Sequence, residues 1–217
     1  MCLALAAVHD RAALAQSADE NAGRLELAFG ALWTGQQPLG SRPANETTPT
    51  LGTAPLFNSS TTLLGAPGLE ARVGWRFART LTAEADASVS RPDLSVAISN
   101  DRELAAPVTV TERLQQFTIG GALVWSLPIR IRRVAPFVTG GAGYLRQLHE
   151  NATLVQTGRY YQFGGGFTVL LASRPDSVLK AMGLRVDARG ISRVNGVAFD
   201  STTHVVSAAG ASFFVRF

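Results

Sequence analysis

Apolar and polar residues alternate along short segments of the chain, and this alternation predicts its secondary structure. From Leu25 to Trp33 every second residue is apolar or small, whereas the intervening positions are mixed and include Glu26. A period of two over this length is typical of a β-strand with two different faces. Seven further strand-like segments follow, at about 69–77, 81–90, 117–125, 133–147, 161–171, 183–191 and 202–217. The chain is therefore expected to be all-β, with eight antiparallel strands.

The connections between these segments alternate in length. Long polar connections rich in Thr, Pro, Ser, Asn and Gly are expected at 35–67 and 91–111, and connections this long are uncommon unless they are functional or disordered. Shorter turns are expected near Arg79 and at 127–132, and the turn at 172–181 has room for a helical turn. An even number of strands with alternating short and long connections predicts an eight-stranded antiparallel up-and-down transmembrane β-barrel.

The pattern leaves open which face of the segment 133–147 points inward. Phe137 and Leu145 share one parity, and Val138 and Tyr144 share the other. The glycines of this segment favour a strongly bent strand, because small residues permit curvature.

Aromatic residues lie on the apolar face, mostly near the ends of the predicted strands. Alternation alone also fits a lipocalin-like soluble barrel, whose apolar face points inward. Aromatic residues at strand ends are typical of the interfacial girdles of membrane proteins, in which the apolar face points outward. The membrane barrel is therefore favoured, and the residues expected at its interfaces are Trp33, Trp75, Phe77, Trp125 and Tyr161.

The opposite face of the predicted strands carries acidic and basic residues in equal number. In a membrane barrel this face points into the lumen, which in an eight-stranded barrel is only wide enough for side chains. Charges in such a place must pair or be hydrogen-bonded to offset the cost of desolvation. We therefore expect an interior charge network, formed by Glu26, Glu70, Arg72, Arg76, Glu84, Asp86, Arg185, Asp187, Arg189 and Arg216.

The end of the chain resembles the C-terminal assembly signal of bacterial outer-membrane β-barrels. Gly210 is followed by Phe213, Val215 and Phe217 at alternate positions. Over residues 24–217 the layout is similar to that of the small barrel families of outer-membrane proteins A, X and W. The resemblance implies an outer-membrane location in a Gram-negative cell envelope, with both termini in the periplasm and loops at the surface. It also implies insertion by the barrel-assembly machinery and contact with outer-membrane lipid and lipopolysaccharide, and we expect a monomer.

Composition and charge argue against several other classes of protein. The formal net charge is +4, but Lys180 is the only lysine and the basic residues form no cluster, so nucleic-acid binding is not expected. Cys2 is the only cysteine, which leaves no disulfide framework and no cysteine-based metal site. Neither a metal nor a cofactor is expected, because no motif for either is present. No apolar run reaches the roughly 18–20 residues of a transmembrane helix.

The start of the chain is expected to direct export. Residues 1–15 look like a signal peptide, with an apolar core and a small-residue cleavage site at Ala13 to Ala15, although no basic residue precedes that core. The signal is therefore interpreted as incomplete or weak, and a frayed N-terminal helix is the alternative. Residues 16–23 are small and polar and predict a flexible lead-in, and 24–217 are expected to form the barrel domain.

Several polar residues near the expected outer rim were considered as sites. Those that could form a nucleophile and its base are Ser192, Ser207, His149, Glu150 and His204, and their spacing matches no catalytic motif. Rim arginines that could bind lipid phosphates are Arg42, Arg91, Arg102, Arg159 and Arg193, for which solvated loop charge is the favoured interpretation. The sequons at Asn45, Asn58 and Asn151 are interpreted as ordinary loop composition.

Three functions are compatible with these patterns. The favoured one is a structural or surface-interaction barrel without enzymatic activity, whose lumen is filled by paired charges. The second is a narrow, porin-like channel for small or apolar solutes, which requires inward apolar residues such as Leu32, Val124 and Leu170. The third, a lipid-modifying barrel enzyme, would depend on the rim serines and histidines.

Overall fold

The computed structural model describes residues 23–48, 52–101, 106–129, 131–149, 155–174, 176–195 and 205–217. The expected signal peptide at 1–15 and nearly all of the lead-in at 16–23 lie outside these ranges. Within them the strands are β1 (Leu25–Thr34), β2 (Gln37–Thr48), β3 (Gly52–Leu63), β4 (Ala66–Arg76), β5 (Leu81–Ser90), β6 (Asp93–Ser99), β7 (Val108–Ser126), β8 (Val134–His149), β9 (Val155–Ser173), β10 (Ala181–Asn195) and β11 (Val205–Arg216).

Eight of these strands close into an antiparallel barrel. Around the ring the order is β1, β4, β5, β7, β8, β9, β10 and β11, and β11 pairs with β1. The closing seam runs from the pair Glu26 and Arg216 to the pair Thr34 and Ala208. At the end of the seam the Phe217 N–H donates to the Leu25 carbonyl oxygen at 2.9 Å. The predicted eight-stranded antiparallel barrel is confirmed.

The two long connections contain strands, which corrects the expectation of polar loops at 35–67 and 91–111. β2 and β3 form a hairpin, β6 pairs with β3, and Val108–Arg113 at the start of β7 pairs with β6. We call these four segments the extension, because they continue one side of the barrel wall. Apolar alternation does not reveal them, since Ser, Thr, Asn and Pro occupy both faces of much of this region.

The hairpin of the extension is long and has a protected edge. Its two strands have 12 residues each, which at about 3.3 Å per residue is roughly 40 Å. β2 is the edge strand of the described sheet and contains Pro38 and Pro43. Proline lacks the N–H that a neighbouring strand would need, so this edge is poorly suited to pairing with another chain.

The barrel wall has an apolar outer face and a polar inner face. Outward side chains such as Trp75 and Ile119 are both 63% exposed, whereas the charged residues of the other parity are mostly buried. In β8, Phe137 and Leu145 point inward and Val138 and Tyr144 point outward, which assigns the faces that the sequence left open. A soluble barrel of the lipocalin type would have the opposite arrangement.

The apolar wall has the dimensions of a membrane span. β5 has 10 residues, and at about 3.3 Å per residue and a tilt of about 40° it covers roughly 25 Å, the height of the apolar band of outer-membrane barrels. In the described ranges no helix is long and apolar enough to cross a membrane. The turn at 172–181 forms bends and turns at 176–179, and the helical turn expected there is not found among its described residues.

Candidate functional site

The charged residues predicted on one strand face lie inside the barrel. Each comes from an alternate position of β1, β4, β5, β10 or β11, so the pleat alone directs the side chains into the lumen. Glu26 and Arg76 are half-buried near the end of the barrel that carries the chain terminus, which we call the terminal end. The others are buried, namely Glu70, Arg72, Glu84, Asp86, Arg185, Asp187, Arg189 and Arg216.

The centre of the lumen is occupied by two carboxylates and two arginines. Asp187 Oδ1 accepts a hydrogen bond from Arg72 Nη2 at 2.9 Å, and Asp187 Oδ2 lies 2.7 Å from Arg189 Nε. Glu70 accepts hydrogen bonds from Arg189 Nη1 and Nη2 at 2.9 and 2.8 Å, and it also contacts Arg72. Because β4 and β10 are separated in the ring by β1 and β11, these pairs join two parts of the wall that share no backbone ladder.

A second group of ion pairs lies nearer the terminal end. Arg185 on β10 contacts Glu84 on β5, and these strands are directly opposite each other in the ring. Arg216 Nε donates to Glu26 Oε2 at 2.6 Å, and Arg185 Nη1 lies 4.0 Å from Glu26 Oε1. Arg185 Nε is also 3.8 Å from Asp187 Oδ1. The contacts therefore form one continuous network along the lumen.

Two inward aromatic rings cover arginines of this network. The Arg185 guanidinium carbon lies 4.3 Å from the centre of the Phe137 ring, and that of Arg216 lies 4.7 Å from the Phe214 ring. Stacking of this kind stabilises a guanidinium away from water. Phe214 shares the parity of Arg216 and could have been assigned to the interior by counting from it.

Asp86 is held by neutral groups instead of an arginine. The Tyr160 hydroxyl donates to Asp86 Oδ2 at 2.9 Å, and Gln162 Nε2 donates to Asp86 Oδ1 at 3.2 Å. Gln162 Oε1 in turn accepts a hydrogen bond from Arg189 Nη1 at 3.0 Å. Tyr160 and Gln162 are interior residues absent from the predicted network, although they have the opposite parity to the predicted interface residue Tyr161.

Glycines give the long polar side chains room to lie across the wall. A Cβ atom on Gly120 would lie 2.2 Å from the Tyr160 hydroxyl oxygen, and one on Gly143 would lie 2.5 Å from Tyr160 Cε1. A Cβ on Gly210 would lie 3.3 Å from Arg189 Nη2. Gly210, predicted as part of the C-terminal assembly signal, therefore faces the charge network.

Apolar layers cover the network on the side of the extension. The first is a buried cluster of Leu32, Leu145, Tyr160, Ile191 and Ala208. A second buried cluster, formed by Leu39, Leu63, Leu94 and Leu114, includes side chains of the extension. Two side-chain hydrogen bonds lie between these levels. Gln147 Nε2 donates to Gln116 Oε1, and Arg193 Nη1 donates to Gln37 Oε1.

Small voids lie on both sides of the central ion pairs. One of about 20 Å³ is bordered by Tyr160 and Arg189, and another of about 20 Å³ is bordered by Arg76 and Phe137. A void of this size holds about one water molecule. The ion pairs of Arg72, Asp187 and Arg189 occupy the lumen between these two voids.

The predicted interface residues lie on the outer wall at two levels. Trp33 and Tyr161 are at the extension end of the barrel, whereas the others, Trp75, Phe77 and Trp125, are at the terminal end. The outward residues of the predicted assembly signal are Phe213, Val215 and Phe217. Recognition of these residues by an assembly machinery stays a prediction.

The rim residues do not come together as a catalytic group in the described part of the chain. His149 Nδ1 lies 2.8 Å from Glu112 Oε1, and Ser207 is exposed on the outer face. Glu150 and His204 lie outside the described residues, as do Arg102 and Asn151. The described residues contain no cluster of His, Cys, Asp and Glu that could hold a metal ion.

An antiparallel eight-stranded barrel with its apolar face outside and its charged face inside has the fold of the small outer-membrane β-barrels. The structure is similar to that of Neisserial surface protein A, with 13% sequence identity and a TM-score of 0.52 over 89% of this chain and 96% of that chain. It is also similar to the outer membrane protein OprG from Pseudomonas aeruginosa, with 13% identity and a TM-score of 0.51 over 90% and 96% of the two chains. At 13% identity these similarities show a shared fold alone. No protein-family profile and no curated protein matches the chain.

Proposed function

We propose that the protein is an integral protein of the bacterial outer membrane with a structural or surface-interaction role and no enzymatic activity. In this proposal both termini face the periplasm and the extension faces the cell exterior. The barrel is a monomer that contacts outer-membrane lipid and lipopolysaccharide, and the barrel-assembly machinery inserts it. The apolar outer wall supports membrane insertion, because large exposed apolar surfaces are otherwise rare on soluble monomers.

The filled lumen is the observation that carries the structural role. Ion pairs between Arg185 and Glu84 and between Arg189 and Glu70 link strands across the ring. Removal of one partner from a buried ion pair of this kind lowers the free energy of unfolding by about 3–5 kcal/mol. The interior is therefore better suited to bracing the wall than to passing a solute.

The extension supports a role at the surface. Its hairpin extends about 40 Å at 3.3 Å per residue. Arg42 and Ser60 on the hairpin and Val110 on β7 are exposed. The base of the extension is anchored by Leu39 and Leu63, which are nearly fully buried. A largely polar sheet held above the membrane is suited to contacts with other molecules at the cell surface.

The alternative of a channel for apolar solutes receives less support. Its candidate lining residues Leu32 and Val124 are buried in packed surroundings, at 6% and 5% exposure, and Leu170 is half-buried. A solute would have to displace the ion pairs that lie between the two voids.

The test has two parts, one for the membrane barrel and one for the filled lumen. Purified, folded protein should migrate differently before and after boiling on a detergent gel, and a single unshifted band contradicts the membrane barrel. The same protein reconstituted in a planar bilayer should show no single-channel conductance beside a porin as positive control. Stable conductance steps with the wild-type protein would contradict the structural role and favour the channel.

A further inference from the structure

A shallow groove runs along the outer wall of the barrel over β5. Three successive outward residues of β5 are alanines, Ala83, Ala85 and Ala87, and Ala87 lies directly opposite Ala71 of β4. Large side chains border the groove, including Phe29 on β1 and Phe117 on β7. The groove is open to its surroundings and has a volume of about 330 Å³.

The groove is apolar and ends near arginines. Val89 is the last apolar outward residue of β5, and Arg91 is the next residue of the same parity, about 7 Å further along the chain at 3.3–3.4 Å per residue. Arg91 is exposed. Arg113 on β7 is also exposed, and its register partner is Asp93, two residues beyond Arg91, so the two arginines lie near each other.

An acidic residue next to Arg113 does not remove its capacity to bind an anion. Arg113 Nε lies 3.5 Å from Asp93 Oδ1; the Arg113 side chain is largely exposed and that of Asp93 is partly exposed. Exposed pairs of this kind contribute little, and a guanidinium has five N–H donors. Arg91 and Arg113 therefore place positive charge at one end of an apolar groove.

We propose that this groove and its two arginines form a binding site for a lipid A-type glycolipid, with an acyl chain over Ala71 and Ala87 and phosphates at Arg91 and Arg113. Arginine binds phosphate through paired N–H donors. Because two arginines lie at the same end of the groove, a headgroup with two phosphates is favoured over a headgroup with a single phosphate. The inference rests on the proposed insertion in the outer membrane, since the groove must face lipid.

The test measures lipid retention by native mass spectrometry of the full-length folded protein released from detergent micelles. Hexa-acylated lipid A, phosphatidylglycerol and phosphatidylcholine are the three probes, each added separately. The variants are R91Q/R113Q, which removes the charges, and A87L, which fills the groove. Their matched controls are R159Q, at an exposed arginine of β9, and A188L, at an outward alanine of β10.

Wild-type protein should retain lipid A about tenfold more than phosphatidylcholine, the factor expected for charge-assisted hydrogen bonds. R91Q/R113Q should reduce lipid A to the level of phosphatidylcholine, A87L should reduce retention of all three probes, and both controls should match the wild type. Equal retention of all probes by the wild type, equal losses in variants and controls, or phosphatidylglycerol retained as well as lipid A would overturn the proposal.

The detergent-gel shift separates this result from the proposed function. If the wild type shows no shift on boiling, the membrane barrel itself is refuted. If it shifts and retains lipids without selectivity, only the glycolipid site is refuted. R91Q/R113Q changes exposed residues outside the packed interior, so it provides a folded variant even if A87L does not shift.

Discussion

Tyr160 on β9 donates a hydrogen bond to Asp86 on β5 at 2.9 Å across two intervening strands. The intervening strands are β7 and β8, and at this level they carry Gly120 and Gly143, which lie in register with Asp86 and Tyr160. The tyrosine ring occupies the space that two side chains would otherwise take. The contact therefore depends on a row of four residues contributed by four consecutive strands.

Removal of the Tyr160 hydroxyl should destabilise the barrel. Y160F leaves the buried Asp86 with Gln162 as its remaining side-chain partner among the described contacts. We expect the free energy of unfolding to fall by about 1.5–3 kcal/mol, as for hydrogen bonds to charged groups. Urea unfolding in lipid vesicles, followed by tryptophan fluorescence, measures the change. Y161F, at the adjacent outward position, is the control, and an equal loss there would contradict the assignment.

Adjacent glycines on β7 should respond differently to alanine. A Cβ on Gly120 would lie 2.2 Å from the Tyr160 hydroxyl oxygen, whereas the nearest atom to a Cβ on Gly121 is 3.5 Å away. G120A should displace Tyr160 and lower the folded fraction on an unboiled detergent gel. G121A should leave it unchanged or raise it, because alanine loses less conformational entropy than glycine. Similar folded fractions for both variants would show that Tyr160 does not fill this space.

Glu70 and Arg189 should be energetically coupled. R189Q leaves a buried carboxylate short of a partner and should cost about 3–5 kcal/mol. The double variant E70Q/R189Q should cost less than the sum of the single variants by about 0.5–3 kcal/mol. The measurement is a double-mutant cycle on the free energy of unfolding. As a control, E112Q, at a residue that contacts His149 and shares no printed partner with Arg189, should be additive with R189Q.

Two outward residues of similar exposure should differ in their tolerance of charge. Ile119 on the barrel wall is 63% exposed and Val110 in the extension is 56% exposed. I119R should lower the free energy of unfolding by up to about 2–4 kcal/mol, because it places an arginine in the lipid-facing band. V110R should change it by no more than about 0.5 kcal/mol, as at a water-exposed site. Equal effects in vesicles would contradict a membrane boundary between the two positions.

The sequence predicts the barrel wall well because each wall strand has one apolar face. Phe117 and Trp125, for example, mark the outward parity of β7 directly. The extension is not predictable in this way, since both faces of β3 carry Ser, Thr or Asn over much of its length. In β8 the apolar Phe137 points inward and covers Arg185. Both parities of β8 therefore contain large apolar residues, and alternation cannot predict which face points inward.

The interior partners were predictable as a set but not as pairs. Parity places Glu84 and Arg185 in the lumen. Their contact across the lumen depends on the stagger of the strands in the closed ring, which cannot be read from the local sequence. The same limit applies to Tyr160, whose parity predicts an inward side chain and whose partner, Asp86, lies three strands away in the ring.

The seam between β1 and β11 makes the barrel dependent on a strand that is synthesised after the other ten. β11 has 12 residues, and until they arrive β1 and β10 each have an unpaired edge. In lipid the unpaired backbone N–H and C=O groups of such an edge would be costly, and in water the exposed edge would promote aggregation. The growing polypeptide is therefore expected to need holding factors from the ribosome to the site of insertion, and premature termination before β11 should yield a substrate for degradation in place of a smaller barrel.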